Sequence, residues 1–394
     1  MRTPPLWLLA LALAAFTVQT DDFVIIGVLP ALAADTGVSE TAAGQLVTVY
    51  SLVYALTAPL WAVALVHTSR RRALMVALAV FVLANLAVLG VDDHVTLMVL
   101  RVVAALAAAV VLPLALAAAS SGAPEGERGR YLATVMTGLT GAVLIGVPTG
   151  TWIGAVADWR ATFVFCGLLG LAALTLIAWG LPETDPVPKE PDESAPGRFR
   201  LDPVLMGLLM VTVLVVAGNL GFQTYLAPFL AGLSEVEPRD LAVLLVVSGV
   251  GGLLGTRYSG RLVDRSGPRA TFFLAGGVFC LTMVALALLW LLAPVHVVVT
   301  GALLVCWSAA AWALPPTLQA LVLDRVEART ATRVLAVLSS AVYVGAALGG
   351  AVGGTAIAHG TGLVPFVAAL VAGVGLALAL PLTRRRSPLR NRSA

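Results

Sequence analysis

Charged residues are scarce in this chain of 394 residues. Asp, Glu, Lys and Arg together make up 11% of the sequence, whereas 59% of the residues are hydrophobic. A soluble domain contains about 25% charged residues. Long continuous runs rich in Leu, Ala and Val recur along the whole length, without the alternation that a transmembrane β-strand requires. The composition therefore predicts an all-α integral membrane protein with many spanning helices.

Residues that support other kinds of chemistry are also few. Cys166, Cys280 and Cys306 lie in apolar runs without paired spacing, which argues against a disulfide or a metal cluster. The four histidines lack metal-ligand spacing, and no nucleophile triad is evident. The single lysine, Lys189, lies in a polar loop, so the chain has no P-loop. We expect no enzymatic activity, no metal and no cofactor, and the scattered positive charges do not predict nucleic-acid binding.

Twelve apolar segments have the length of a membrane-spanning helix. They cover about residues 6–30, 41–66, 73–91, 95–119, 131–156, 161–181, 203–232, 241–260, 270–292, 295–320, 334–358 and 363–383. The first run has no cleavage site, and we interpret it as a retained helix. A Pro-rich, acidic loop divides the segments six and six. We predict a first half (1–181), a cytoplasmic linker (182–202), a second half (203–383) and a basic tail (384–394).

The basic residues predict the orientation. With twelve spans, both termini and the linker share one side, which carries 20 of the 24 Lys and Arg residues. Arg160 and Arg239 lie on the other side, and Arg101 and Arg257 fall within spans. Because Lys and Arg accumulate in cytoplasmic loops, we expect both termini and the linker to be cytoplasmic.

The two halves resemble each other in sequence. Pro30 in "GVLPALA" corresponds to Pro228 in "YLAPFLA", and Ser69 corresponds to Asp264 at nearly the same offset. This indicates a duplicated six-helix unit. Parallel six-span halves with a substrate site between them are the architecture of major facilitator transporters.

The stretch "GRLVDRSGPR" (260–269) resembles the cytoplasmic-loop signature of the major facilitator superfamily. The residues concerned are Gly260, Asp264, Arg265, Gly267 and Arg269. We expect Gly260 to permit close helix approach, and Asp264 to cap a helix or to pair with arginines of a neighbouring helix. Such a network could act as a latch that breaks when the halves rock. The alternative is a plain basic turn that obeys the positive-inside rule.

A glycine-rich stretch, "GLTGAVLIGVPTGTWIG" (138–154), fills segment 5. It resembles the proton-antiporter signature of drug exporters, and the matching residues are Gly138, Gly146, Pro148, Gly150 and Gly154. Small residues at helical spacing permit close helix packing, and the proline removes one backbone hydrogen bond. Generic glycine-rich packing is the alternative.

Two adjacent carboxylates, Asp21 and Asp22, interrupt the first apolar segment. One charge at the bilayer centre costs about 2.5–3.5 kcal/mol on insertion scales. Neighbouring helix positions point about 100° apart, so the two cannot face one cavity equally. Gln19, three positions earlier, gives Asp22 a partly polar face. Arg101 lies at a similar depth in segment 4 and could pair with Asp22 or interact with it through a cavity. Alternatively, the carboxylates form a polar kink and Arg101 snorkels outward.

Together these stretches resemble the twelve-span drug:proton antiporters close to bacterial chloramphenicol-resistance and sugar-efflux exporters. The resemblance implies a bacterial inner-membrane protein that acts as a monomer. It also implies a titrating acid at Asp22, directly before Phe23, and an arginine at Arg101, with Asp21 as an auxiliary residue. Burial disfavours the charged carboxylate and Arg101 favours it, and we expect this balance to let Asp22 exchange a proton near neutral pH.

Other polar or aromatic residues within the spans are candidates for the substrate cavity. They are Gln19, Tyr50, Tyr54, Asn85, Asn219, Phe222, Gln223, Tyr225, Trp307, Trp312, Gln319 and Tyr343. Taken singly, each is more often a packing or interfacial anchoring residue than a ligand contact. The expected function is proton-coupled export of a small amphipathic compound, such as an antibiotic or a sugar-like metabolite. A proton symporter that imports a sugar or nucleoside is the alternative, and a non-transporting receptor is a third class.

Overall fold

The computed structural model describes residues 4–65, 68–124, 127–182, 202–326 and 328–383. Nearly all of the predicted linker and the whole basic tail lie outside these residues. The α-helices are α1 (Leu6–Asp35), α2 (Glu40–Ala64), α3 (Arg70–Ala87), α4 (His94–Ser121), α5 (Arg128–Gly141), α6 (Val147–Val156), α7 (Trp159–Gly180), α8 (Pro203–Thr224), α9 (Leu226–Ser234), α10 (Pro238–Leu289), α11 (Val297–Leu323), α12 (Ala328–His359) and α13 (Leu363–Leu382). A π-helical turn, Ala142–Gly146, joins α5 to α6.

Eleven helical stretches of the described residues are long and apolar enough to cross a membrane. One of them, Asp240–Leu292, has 53 residues, and a straight helix of that length would extend about 80 Å, far beyond a bilayer core of about 30 Å. The helix breaks at Gly267, where φ is 80° and ψ is 160°, and Pro268 follows. This stretch therefore supplies two spans, and the prediction of twelve spans is confirmed.

Several helices begin at a residue whose side chain accepts a hydrogen bond from the first turn. Asp93 accepts one from the backbone N–H of Thr96 at 2.8 Å, and Asp202 accepts one from that of Leu205 at 2.6 Å. Asp and Ser are favoured here because the first backbone N–H groups of a helix have no partner within it. These polar caps separate apolar runs that would otherwise be continuous.

The ends of the helices define two faces of the molecule. At the start of α1, the ring of Trp7 lies 5.6 Å from that of Tyr131. A Cβ atom at Gly122, at the end of α4, would overlap this ring, and one at Gly180, at the end of α7, would lie against the Trp7 backbone. Residue 182, where the linker begins, is on this face, which we call the linker side. The opposite face, where α1 ends at Asp35, is the far side.

One apolar core joins the two sets of six spans on the far side. It combines Ile25, Leu29 and Phe163 from the first six spans with Phe229 and Phe279 from the second six. On the linker side the cores are separate. One is built by the first six spans, with Tyr343 packed against its edge, and two smaller ones are built by the second six. The two halves are thus in close contact at the far side and diverge toward the linker side.

Candidate functional site

A buried ion pair links α1 to α4. The Nη1 atom of Arg101 lies 2.9 Å from the Oδ2 atom of Asp21, and Nη2 donates a hydrogen bond of 3.3 Å to the backbone carbonyl of Asp21. Asp21 is 0% exposed and Arg101 is 1% exposed. The arginine therefore does not snorkel outward, and the alternative of a surface kink does not hold.

Aromatic and polar groups enclose this ion pair. The guanidinium carbon of Arg101 lies 4.3 Å from the centre of the Tyr50 ring and 5.7 Å from that of Phe163. Tyr50 and Asn85 present polar groups to the Asp21 carboxylate. The Asp21 Oδ1, Arg101 Nε and Tyr50 hydroxyl atoms are buried without a hydrogen-bond partner. The site therefore holds the pair firmly and retains unused hydrogen-bonding capacity.

Asp22 has a different environment from its neighbour. It is 8% exposed and forms no ion pair or hydrogen bond with any of the described residues. Its carboxylate lies within electrostatic range of Arg101 and Tyr50, and also of Tyr54 of α2 and Tyr343 of α12. The Tyr54 and Tyr343 rings stack with centres 3.8 Å apart. The sequence predicts that Arg101 pairs with Asp22 or interacts with it through a cavity, and the predicted pairing is wrong. In the structure Arg101 contacts Asp21, because the 100° turn between adjacent positions directs Asp22 away from α4 and toward the contact between the halves.

The glycine-rich stretch packs directly against α1. A Cβ atom at Gly138 would overlap the backbone carbonyl of Ala12, and Gly146, Gly150 and Gly154 are equally close to successive turns of the same helix. The contacted residues on α1 are Ala12, Phe16, Thr20, Val24 and Val28. The π-helical turn directly precedes buried Pro148, which cannot donate a backbone hydrogen bond. The glycines thus bring span 5, which consists of α5, the π-helical turn and α6, against the helix that carries both carboxylates.

A cavity of about 270 Å³ lies between the halves. Its lining residues are Gln19, Met136, Leu139, Thr140, Val143, Gly249, Gly252, Leu253, Thr256, Trp312, Pro315, Pro316 and Gln319. A smaller cavity of about 90 Å³ shares Pro315 and Gln319 with it and also contacts Asn219. Because the lining comes from α1, α5, α10 and α11, any rocking of the halves changes the shape of this space.

Eleven of the twelve predicted cavity residues fall into three groups. Gln19, Asn219, Trp312 and Gln319 line the two cavities. Tyr50, Tyr54, Asn85 and Tyr343 surround the carboxylates instead. Phe222, Tyr225 and Trp307 are packed in the far-side core, so the structure corrects their placement in the cavity. The Phe222 ring packs edge-on against the Trp307 ring, with ring centres 5.1 Å apart. The indole N–H of Trp307 donates a hydrogen bond of 3.1 Å to the Asn219 side-chain oxygen. The Tyr225 hydroxyl donates one of 3.1 Å to the Gly350 carbonyl, so all three aromatic side chains are held in the core. The Oε1 atom of Gln223 is buried without a partner.

The stretch 260–269 differs from the latch expected from sequence. A Cβ atom at Gly260 would meet nothing within 4 Å, so no close helix approach requires this glycine. Asp264 is exposed within α10 and neither caps a helix nor forms an ion pair in the part of the chain that is described. Arg265 and Arg269 are exposed as well. Gly267 is the position that requires glycine. Its φ of 80° is unfavourable for other residues, and this turn of the backbone separates the two spans within α10.

Sequence analysis missed an ionic hub on the far side. Arg160 lies 2.8 Å from the Asp35 carboxylate and donates to the Val91 carbonyl at 2.7 Å. It also lies 3.4 Å from Asp92 and 3.5 Å from Asp158. The sequence contained one indication of this hub, since Arg160 is one of only two Lys or Arg residues predicted on this side of the membrane. Thr140 and Thr256 of the cavity were also missed, because isolated threonines are common in spanning helices.

The fold and the site together define a membrane transporter. A cavity lies between two six-span halves, and two buried carboxylates lie on α1, the helix that contributes Gln19 to the cavity lining. The sequence profile of the Major Facilitator Superfamily matches residues 11–350. The chain belongs to this superfamily, whose members are transporters rather than enzymes.

Relatives support the same assignment. The chain is 32% identical to the inner membrane transport protein YdhP of Escherichia coli over 96% of both chains. It is 32% identical to a chloramphenicol resistance protein of Streptomyces lividans, over 96% of this chain and 95% of that one. Among solved structures, the nucleoside transporter NupG superposes with a TM-score of 0.78 at 13% identity, over 96% of this chain and 98% of the other. The protein is therefore a multi-pass membrane transporter for small molecules.

Proposed function

We propose that this protein is a proton-coupled exporter that exchanges protons for a small amphipathic compound, such as an antibiotic or a sugar-like metabolite, by alternating access. The observation that carries the proposal is that only one of the two adjacent carboxylates forms an ion pair. Arg101 binds Asp21, which fixes the geometry of the Asp21 carboxylate. Asp22, one residue later, has no such partner and lies where α1 meets α2 and α12. A carboxylate that gains and loses a proton during the cycle needs this freedom.

The charge distribution supports the direction of the cycle. The linker side carries 20 basic residues and is assigned to the cytoplasm, with both termini there. In that orientation the halves diverge toward the cytoplasm, so the compound enters from inside. A proton that reaches Asp22 from outside favours release of the compound, and its loss to the cytoplasm resets the site. The two ligands are coupled because both bias the same conformational equilibrium. We assign the activity to a single chain, composed of halves 1–181 and 203–383.

Similarity to the Streptomyces chloramphenicol resistance protein favours export of a compound of that kind. The contact of Gly138, Gly146, Gly150 and Gly154 with α1 adds to this support, since it places the motif that resembles an antiporter signature against the helix of Asp22. We therefore expect a movement of span 5 to displace α1, the helix that carries Asp22.

Replacement of Asp22 tests the proposal. In proteoliposomes with an imposed pH gradient, Asp22→Asn should abolish gradient-driven transport of radiolabelled chloramphenicol, because the amide cannot exchange a proton. Asp240→Asn is the matched control, since Asp240 is exposed in the first turn of α10 and should leave transport unchanged.

Two results would count against the proposal. Undiminished gradient-driven transport by Asp22→Asn would remove Asp22 from the mechanism. Accumulation of the compound in the same direction as proton flow would show a symporter, which is the importing alternative, instead of an exporter.

A further inference from the structure

We infer that the central cavity binds uncharged compounds that combine an aromatic or apolar body with amide or hydroxyl groups, and that it discriminates against organic cations and anions. The inference rests on the proposed function for the identification of this cavity as the transport site. It goes further because it names the chemistry of the compound and the charge moved in each cycle.

The first observation is the absence of charge around the cavity. Among the described residues that line it, polar character comes only from glutamine, threonine and tryptophan side chains. The nearest acidic residue on α1, Asp22, lies one turn beyond Gln19 and is not among the residues that line the cavity. Asp21 and Arg101 compensate each other's charge, so the pair offers a ligand no net charge. A charged ligand in this space would lose its hydration without gaining a counter-charge, which is strongly unfavourable.

The second observation is a pair of primary amides, one from each half. Gln19 projects from α1 and Gln319 from α11. Neither forms a hydrogen bond with another of the described residues. An amide offers two donor hydrogens and a carbonyl acceptor, so it complements hydroxyl and amide groups of a ligand. Because the two glutamines belong to different halves, a compound that binds both also connects the halves.

The remaining lining residues fit an apolar body. Trp312, Leu139, Val143 and Leu253 provide aromatic and aliphatic surface. The hydroxyl of Thr256 donates to the Gly252 carbonyl at 3.0 Å and can still accept a hydrogen bond. The volume of about 270 Å³ is near the lower end of ligand pockets, which run from about 300 to 1,000 Å³. A small aromatic amide or alcohol matches this combination of size and polarity.

An uncharged compound has a consequence for coupling. When a neutral molecule leaves as a proton enters, one positive charge crosses the membrane in each cycle. The membrane potential therefore drives export even without a pH difference. Exchange of a monovalent cation for one proton would move no net charge and would not respond to the potential.

Binding of three closely related compounds tests the assignment. Chloramphenicol is neutral, its deacylated primary amine is cationic, and its hemisuccinate ester is anionic. In equilibrium dialysis of the purified full chain, we expect chloramphenicol to bind at least about tenfold more tightly than either charged analogue, because each charge must be desolvated. Equal or tighter binding of a charged analogue would overturn the inference. Failure of all three to bind would overturn it as well.

Substitutions at Gln319 locate the binding site. Gln319→Met keeps the length of the side chain but removes the amide, and should weaken chloramphenicol binding roughly five- to tenfold, as expected for the loss of one or two hydrogen bonds. Gln319→Glu should shift the preference toward the cationic amine. Gln45→Met is the control, since Gln45 does not line the cavity. Unaltered binding and selectivity in both Gln319 variants would place the compound elsewhere.

Transport in proteoliposomes separates this inference from the proposed function. With equal pH on both sides, a potassium diffusion potential set by valinomycin should drive chloramphenicol flux. If the pH gradient drives flux but the potential does not, the neutral-substrate inference fails and proton exchange stands. If chloramphenicol binds selectively but neither the pH gradient nor the membrane potential drives its flux, the proposed transport function is wrong. The inference that the cavity prefers uncharged compounds would then still hold.

Discussion

At the residue scale, the structure gives two consecutive carboxylates unlike surroundings. Asp21 is enclosed with Arg101, Tyr50 and Asn85, whereas Asp22 lies at the contact between the halves. Helical geometry alone makes this possible, because the side chains of successive residues in an α-helix point about 100° apart. A fixed charge pair and a movable proton site can therefore occupy the same depth of a single helix.

The Asp21–Arg101 pair should show the energetics of a buried ion pair. Arg101→Met leaves the Asp21 carboxylate buried and unpaired, which should lower the free energy of unfolding by about 3–5 kcal/mol. Arg101→Met combined with Asp21→Asn removes both charges and should recover a large part of that loss. Thermal unfolding of the purified protein in detergent measures the difference. Arg257→Met, at an exposed arginine, is the control, and a double variant no more stable than the single one would contradict the ion-pair account.

Part of this site could be predicted from sequence. The rise of 1.5 Å per residue placed Arg101 at the depth of the carboxylates. Which carboxylate it contacts depends on the direction from which α4 approaches α1, and that direction is set by packing over the whole half. For the same reason, Phe222 and Trp307 could not be assigned to core or cavity, because both environments favour aromatic side chains.

At the element scale, α1 and span 5 form a close helix contact near the site. Gly138, Gly146, Gly150 and Gly154 let the two backbones approach along several turns. The π-helical turn before Pro148 adds one residue to the helix turn and so adjusts which face of α5 meets α1. The glycines were visible in the sequence, but the helix they contact was not.

Addition of a single methyl group tests this contact. In Gly138→Ala the new Cβ atom would overlap the backbone carbonyl of Ala12, which cannot rotate away. We expect a loss of about 1–3 kcal/mol in stability from overpacking, read as a lower melting temperature in detergent, together with reduced transport. Gly277→Ala is the matched control, because a Cβ atom there meets nothing within 4 Å. An alanine at Gly277 should be neutral or stabilise α10 by about 0.5–1 kcal/mol. Equal melting temperatures of the two variants would refute close packing at Gly138.

The spanning helices themselves were the most predictable elements. Their apolar length and the polar caps between them are local properties of the sequence. The break at Gly267 was also signalled by the Gly-Pro pair, although the sequence interpretation gave the leading role to Gly260 and Asp264. Those assignments failed because a motif does not specify which neighbours surround it.

At the scale of the whole molecule, the halves meet on one side and separate on the other. Thr41 of α2 donates to the Gly354 carbonyl of α12 at 3.1 Å on the far side. The far-side core spans both halves, whereas the linker-side cores are separate. For a compound to cross, this far-side contact must open.

A cross-link between the halves should therefore block transport. After replacement of the three native cysteines by serine, Thr41→Cys with Gly354→Cys should form a disulfide that holds the far side closed. Chloramphenicol flux should fall to background and return on reduction with dithiothreitol. The control pair is Ser234→Cys with Thr300→Cys, whose hydroxyl oxygens lie 2.8 Å apart within the second half. Full transport by the oxidised Thr41–Gly354 variant would show that this contact does not open.

Arg160 gives the far side of the first half an additional property. Its guanidinium group joins the end of α1 at Asp35, the loop at Val91 and Asp92, and the loop at Asp158. Movement of Arg160 away from its position breaks its contacts with all three segments at once. We therefore expect exchange of backbone amide hydrogens to speed up in all three segments when Arg160 is replaced.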